Sequence, residues 1–420
     1  MQGLKDSFKR KLVTYTPYII LLLLIGASFI GMSVTRTLTN TSDTTYTYII
    51  NSKGSIYDVT QSGLQSAIWD LNSSSGGWVE LPVCTISCVS PIIVNYSISL
   101  RGAGIGNYPN GNPLTLIQVT NATFVGDSLI KYGPITKTLA LQSIKIEGIM
   151  FKGNNNEVVH NGLLMENAQH ALILNCVFAR FHHVLPYGIG LNFTTAPTYM
   201  GYYNQVQNCF FYANRVGLKL NEGSNSDISI GNHFQGDSAF SKYGLWIRAE
   251  TFKDYGTDFD DFNKTGDKCV LMNGIGSDCK YNSFIGSRFE NNYDGIYIDA
   301  STSGQMRITD CSFVTMSNMS IDDNDNTARI RDCQGFVTEV WDQNVIVAGQ
   351  LYVRITHGSI SLTGGRAPWV MVTPKTSTSS HLAVNASTST YFDIRINGTR
   401  TTNIYFYYHA STVFDGAGLV

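Results

Sequence analysis

Carboxylates and one cation that follow recurrent phenylalanines are the residues of this 420-residue chain best placed to do chemistry. Glu290 and Asp294 come just after Phe289, Asp237 comes three residues after Phe234, and Arg215 four after Phe211. If the chain winds so that these phenylalanines stack, some of the acids come within the roughly 5–9 Å that paired glycosidase carboxylates need. The competing reading makes all four solvated turn residues. The run from Asp254 to Phe262 reads as an insertion, with Asp258, Asp260 and Asp261 beside Tyr255, Phe259 and Phe262. Carboxylates suit Ca2+ and aromatic faces suit pyranose rings, and a plain exposed insertion is the alternative. Asp322-Asp323-Asn324-Asp325-Asn326 lacks the glycine and terminal glutamate of an EF-hand loop. His182 and His183 are adjacent, so in extended chain they point to opposite faces and do not share a metal. No organic cofactor is expected, and Ca2+ is the one ion considered.

The elements that must position these residues come from a repeat. A turn-former or polar residue, two further residues and a phenylalanine recur at Gly148–Phe151, Asn175–Phe178, Asn208–Phe211, Gly231–Phe234, Gly286–Phe289 and Asp310–Phe313, ending loosely at Asp332–Phe336. The Phe-to-Phe spacings are 27, 33, 23, 55, 24 and 23, a period near 23 with insertions. Each phenylalanine is followed by a glycine and a short strand, as in Gly162-Leu163-Leu164-Met165 and Gly217-Leu218-Lys219-Leu220. Strand and turn at this period predict a parallel β-solenoid, with the phenylalanines as an internal ladder and the asparagines as a turn ladder. Composition agrees: charged residues are 14%, aromatics 12%, Gly 39 and Tyr 23, with a net charge of −2. That excludes a disordered chain and a coiled-coil rod, and shows no nucleic-acid surface.

The opening of the repeat resembles right-handed parallel β-helix proteins of the pectin-lyase-like superfamily, which includes tailspikes. Leu64-Gln65-Ser66-Ala67-Ile68 reads as a short capping helix, Gly76-Gly77-Trp78-Val79-Glu80-Leu81-Pro82 as the first strand and Ile98-Ser99-Leu100-Arg101-Gly102-Ala103-Gly104 as an early rung. The resemblance implies the fold over about residues 55–345. It implies no chemistry, because the superfamily holds lyases, hydrolases, tailspikes and inert rods. The Gly-His-Gly of polygalacturonase-like hydrolases is missing, and Arg329-Ile330-Arg331 echoes their basic segment without its partners.

Residues 12–35 carry no charge and are long enough, as a helix, to cross a bilayer. Lys5, Lys9, Arg10 and Lys11 precede them, placing the N-terminus inside and the bulk outside; a cleaved signal peptide is the alternative. Nine sequons, at Asn40, Asn72, Asn95, Asn121, Asn192, Asn263, Asn318, Asn385 and Asn397, suggest glycosylation. The eight cysteines suggest disulfides in an exported chain: Cys84 with Cys88, Cys269 with Cys279, and the pairs Cys176/Cys209 and Cys311/Cys333 at matching repeat positions, where stacked free thiols are the alternative. Past about Gln343 the texture changes to alternating strands, and Tyr391–Ile396, Asn397-Gly398 and Ile404–Tyr408 read as a hairpin. The stretch from Pro368 to Ala410 resembles β modules at the ends of viral tail fibres and spikes, which implies trimerisation or glycan binding.

The expected organisation is a basic segment (1–11), a transmembrane signal-anchor helix (12–35), a linker (36–54), an all-β right-handed parallel β-helix (55–343) and an antiparallel C-terminal β-sandwich-like domain (344–420). The expected function is a membrane-anchored spike or adhesin, viral or cell-surface, that binds a surface polysaccharide or other glycan as a homotrimer, with no nucleic acid as partner. A polysaccharide lyase or glycoside hydrolase, and a purely structural virion or surface protein, are the alternatives.

Overall fold

The computed structural model describes residues 47–411 apart from 72–75, 107–111, 121–123, 135–139, 156–158, 196–200, 238, 275–278, 300–305, 324–327, 336–338, 349, 357–368, 376–381, 388–390 and 397–401. The expected membrane segment at 12–35 lies outside the described residues. Among the described residues no helix is long and apolar enough to cross a membrane.

The repeat builds stacked coils. The coils contribute short strands to three long sheets, in which ten, nine and nine strands run parallel, and four coils add a strand to a short fourth sheet. Strands of the first sheet run from Gly77–Glu80 to Ala328–Arg331, and the hairpin Ile49–Asn51 and Ile56–Tyr57 adds to its edge in antiparallel sense. The second sheet runs from Cys84–Cys88 to Ser312–Val314, the third from Ile92–Val94 to Met319–Asp323. A helix, α1 (Gln61–Leu71), packs against the first coil with Leu64, Ala67, Ile68 and Leu71 buried. Those positions fall on one helical face, and Thr60 Oγ1 caps the helix by accepting the Gly63 N–H at 3.0 Å.

The recurrent turn-former now has a physical reason. Asn175 (φ 50), Asn208 (φ 50), Asp310 (φ 55) and Asp332 (φ 52) lie in the left-handed region, as do Gly148, Gly231, Gly256 and Gly286. Asn, Asp and Gly are the residues that tolerate that region. The turn joins the first sheet to the second and delivers a phenylalanine inward three residues later. Phe151, Phe178, Phe211, Phe234, Phe259, Phe289 and Phe313 form one stack, with successive ring centroids 4.5–5.1 Å apart and planes within 13°. The 55-residue gap in the repeat is therefore filled. Gly256 and Phe259 supply the missing rung, and Asp254–Asp261 is an ordinary coil segment with strands Lys253–Tyr255 and Asp258–Asp260. The glycines of the third sheet leave room for this stack: a Cβ on Gly217 would sit 2.6 Å from the Phe234 ring, and one on Gly244 3.0 Å from Phe259.

The cysteine expectation is corrected, since all eight are free thiols. Cys84 and Cys88 end a single strand, which holds their Cα atoms about 13 Å apart, beyond disulfide reach. Cys176, Cys209, Cys311 and Cys333 occupy the turn position after the left-handed residue and project in parallel. Their thiols donate instead to Leu174, Gln207, Thr309 and Arg331 carbonyls at 3.3–3.5 Å. Cys269 takes a glycine position of the third sheet, and the Cys279 thiol donates to the Ile247 carbonyl at 3.5 Å. Burial pushes Cys84 up to about 11 and Cys88 up to about 12, so those thiols stay protonated and unreactive.

The C-terminal segment forms two three-stranded antiparallel sheets. The expected hairpin is corrected: Tyr391–Ile396 pairs with Tyr352–Thr356 and Leu382–Ser387, whereas Ile404–Ser411 pairs with Glu339–Ile346 and Trp369–Pro374. Phe392, Ile394 and Ile396 of one sheet share a core with Ile404, Phe406 and Tyr408 of the other. Arg354 clamps the buried Asp393 through two bonds of 2.8 and 3.0 Å.

Two outcomes follow from the interior. Phe259→Ala, in the middle of the ring stack, costs about 3–5 kcal/mol, read as a lowered urea midpoint. Asp227 sits at the position where the preceding coil places Asn204 and the coil after next Asn282; its Oδ1 accepts the Asn204 N–H at 2.9 Å and its Oδ2 has no partner. Burial pushes its carboxyl up from 3.8 to about 7, so its penalty grows as pH rises from 3.8 to 7, while the unfolded chain ionises first. Asp227→Asn stabilises the fold by about 2–4 kcal/mol above pH 7 and by little at pH 4, in denaturant titrations at both pH values.

Candidate functional site

The inward phenylalanines fix which residues face out, because side chains alternate along a strand. On the second sheet the outward pairs are Phe210 and Tyr212, His233 and Gln235, Asp258 and Asp260, then Arg288 and Glu290. Strand register sets His233, Asp258 and Arg288 in one column and Gln235, Asp260 and Glu290 in the next, with rungs about 4.8 Å apart. The Phe210 ring lies 4.8 Å from that of His233, extending the face as an aromatic platform.

Two carboxylates thus stand side by side in different surroundings. Glu290 is ion-paired with Arg288 on its own strand. Asp260 Oδ1 is buried without a hydrogen-bond partner. Burial raises the Asp260 pKa most, the Asp261 charge next and Glu290 further, with His233 opposing. Asp261 itself, at φ 62, accepts from Gln235 Nε2 at 3.1 Å. His233 is lowered by burial against the pull of Asp258, Asp260 and Asp261. A carboxyl biased toward its protonated form beside an ion-paired carboxylate is the division of labour of a general acid and its partner in glycoside cleavage.

The other sequence candidates are dispersed. Asp294 belongs to the third sheet, buried, accepting from Asn318 Nδ2 at 2.7 Å and pairing with Lys268 at 3.4 Å. Asp237 organises its own turn, its Oδ1 accepting the Ala239 N–H at 2.7 Å. Arg215 donates from Nε to the His183 carbonyl at 3.3 Å. Neither Asp294, Asp237 nor Arg215 shares the face of Glu290; its partner is Asp260, read from sequence as a calcium ligand. Asp258, Asp260 and Asp261 are not gathered for a cation, and among the described residues no three His, Cys, Asp or Glu side chains are. His182 is buried against Phe240, 4.2 Å between ring centroids, its Nε2 2.7 Å from the Ala213 carbonyl.

The sequons divide similarly. Asn192 is buried in a ladder, donating to Asn161 Oδ1 at 2.9 Å and accepting from Asn221 Nδ2 at 2.7 Å, so it is no glycan acceptor. Asn263 is exposed, Asn95 half-buried, and Asn318 exposed with its amide on Asp294. Asn40, Asn72, Asn121, Asn397 and the side chain of Asn385 lie outside the described residues.

The stacked coils and their three sheets define a parallel β-helix protein. No family model and no curated protein matches the sequence. Among solved structures it is similar to the ORF18 protein of a Geobacillus virus, at 17% identity over 82% of this chain and 72% of that one, TM-score 0.48. It is also similar to the tailspike of an Acinetobacter baumannii bacteriophage, a capsular polysaccharide depolymerase, at 10% identity over 84% and 83%, TM-score 0.43. A third is the surface adhesin PfbA of Streptococcus pneumoniae, at 10% identity over 65% and 80%, TM-score 0.41. At these values the likeness assigns no substrate to this chain.

The electrostatics of the pair are directly measurable. Carbon-detected NMR titration is expected to find Asp260 titrating above the ordinary aspartate range. Asp261→Asn lowers that pKa more than Glu290→Gln does, since its charge is the larger influence.

Proposed function

We propose that this protein is a glycan-binding, spike-like β-helix, displayed outside a membrane or virion surface by the 12–35 segment and assembled as a homotrimer through its C-terminal sheets. The observation that carries this reading is the outward face of the second sheet, where Phe210, Tyr212 and His233 adjoin a polar surface on a rigid, fully paired scaffold. Aromatic faces and fixed carboxylates are what a saccharide recognises, and a rigid sheet presents them without an ordering cost.

A second reading is a hydrolase acting at the same face, favoured by one observation, the differently held carboxyls of Asp260 and Glu290. The full chain incubated with an array of surface polysaccharides separates the two. Scoring binding together with release of reducing or unsaturated ends, the binding reading expects retention without cleavage, weakened by Phe210→Ala and Tyr212→Ala. Cleavage abolished by Glu290→Gln and Asp260→Asn establishes the hydrolase. Neither binding nor cleavage contradicts both. Light scattering giving a monomer contradicts the trimer.

A further inference from the structure

We propose that the outer face of the first sheet between Lys253 and Arg329 is a groove for an anionic saccharide, one bearing carboxylate or sulfate groups. This rests on the glycan-binding reading and names the chemical class of its ligand. The register places Lys253, Ser283, Arg307 and Arg329 on successive rungs of a single outward column. At about 4.8 Å per rung the three cations span about 14 Å, with the small Ser283 between the first and second. They line a cavity of about 280 Å³ that Tyr255 and Tyr281 also border.

The cations of this column stand without a counter-ion among the described residues. Elsewhere on the coils Lys242, Lys268, Arg248 and Arg288 each pair with an acid. Lys253, Arg307 and Arg329 make no ion pair with any described residue. Arg307 and Arg329 are direct cross-strand partners, an arrangement of like charges that destabilises a sheet. An anion between them removes that repulsion, and guanidinium forks match carboxylate and sulfate oxygens in pairs.

The tyrosines supply the rest of a sugar site. Tyr281 is 62% exposed and Tyr255 36%, and both offer ring faces for the C–H side of a pyranose. The chain beside Tyr281 is anchored through its neighbour Asn282, whose Oδ1 accepts the Phe252 N–H at 2.7 Å and whose Nδ2 donates to the Ala249 carbonyl at 3.1 Å. The backbone that carries the tyrosine is thus fixed before ligand arrives, which limits the ordering cost of binding. Sequence reading missed the column because 54 and 22 residues separate its cations, which only the coil register brings together.

The test titrates the full chain with hyaluronan octasaccharides, dextran sulfate, unmodified dextran oligosaccharides and a single-stranded DNA oligonucleotide, at low and high salt, by calorimetry. The expected result is binding of the two anionic probes, weakened by salt, without binding of neutral dextran. Arg307→Gln with Arg329→Gln weakens it at least tenfold, Arg307→Lys alone by less, and Lys264→Gln, in the exposed turn between the second and third sheets, leaves it unchanged. The melting temperature of the double variant is at or above that of the parent, as its changes lie outside the core and remove the facing like charges. Binding of neutral dextran that the double variant retains overturns the groove and leaves the glycan-binding reading standing. Anionic binding untouched by the double variant, or an oligonucleotide bound more tightly than either saccharide, overturns the groove as well. Binding of no saccharide overturns both.

Discussion

Every coil must return to the register of the coil beneath it, and the left-handed turn between the first and second sheets enforces this. From Gly148 to Asp310 the turn residue keeps φ between 50° and 69°. With the turn constant, the third residue after it always faces inward, and the aromatic stack of Phe151 to Phe313 follows. Each parallel pair then satisfies its main-chain groups without regard to the outward side chains. That separation is the physical basis of the molecule: the interior is specified by repetition, and the exterior is free to carry chemistry.

The interior is not uniformly apolar. The inward column of the first sheet runs Val206, Ser229, Asp254, Phe284, placing a carboxyl in the core. Asp254 is satisfied by Thr257 at 2.6 Å and Ser287 at 2.5 Å, and burial raises its pKa. Asn214 and Asn292 bridge coils in the same spirit, each accepting an N–H from the coil below and donating to its carbonyl. Such internal bonding lets a solenoid with few charges keep its buried polar groups paired. It also places the unpaired cations and the mismatched carboxyls on the outside, where a ligand reaches them.

The repeat was legible because a fixed turn and an inward phenylalanine leave a local, four-residue signature. Phe259 escaped it because the spacings on either side, 25 and 30 residues from Phe234 and to Phe289, both exceed the period near 23, and its flanking aspartates looked like a loop. The C-terminal alternation showed that Phe392, Ile394 and Phe406 are buried, but period two reveals a strand's face and not its neighbour, so a crossing between sheets read as a hairpin. Glu290 was found from the ladder, whereas its partner Asp260 and the column Lys253–Arg307–Arg329 depend on register between distant rungs. The cysteines misled because the same repeat position that would suit a disulfide also suits parallel thiols bonded to carbonyls.

The proposed glycan recognition lies on the lateral faces of the coils. Hydroxyl-radical footprinting of the full chain, with and without the tightest polysaccharide from an array, reads this residue by residue. Protection of outward side chains such as Phe210, Tyr212, Tyr255 and Tyr281, with the C-terminal Tyr405 and Tyr407 unchanged, is the predicted result. Protection confined to Tyr405 and Tyr407, with the coil faces unaltered, would contradict it.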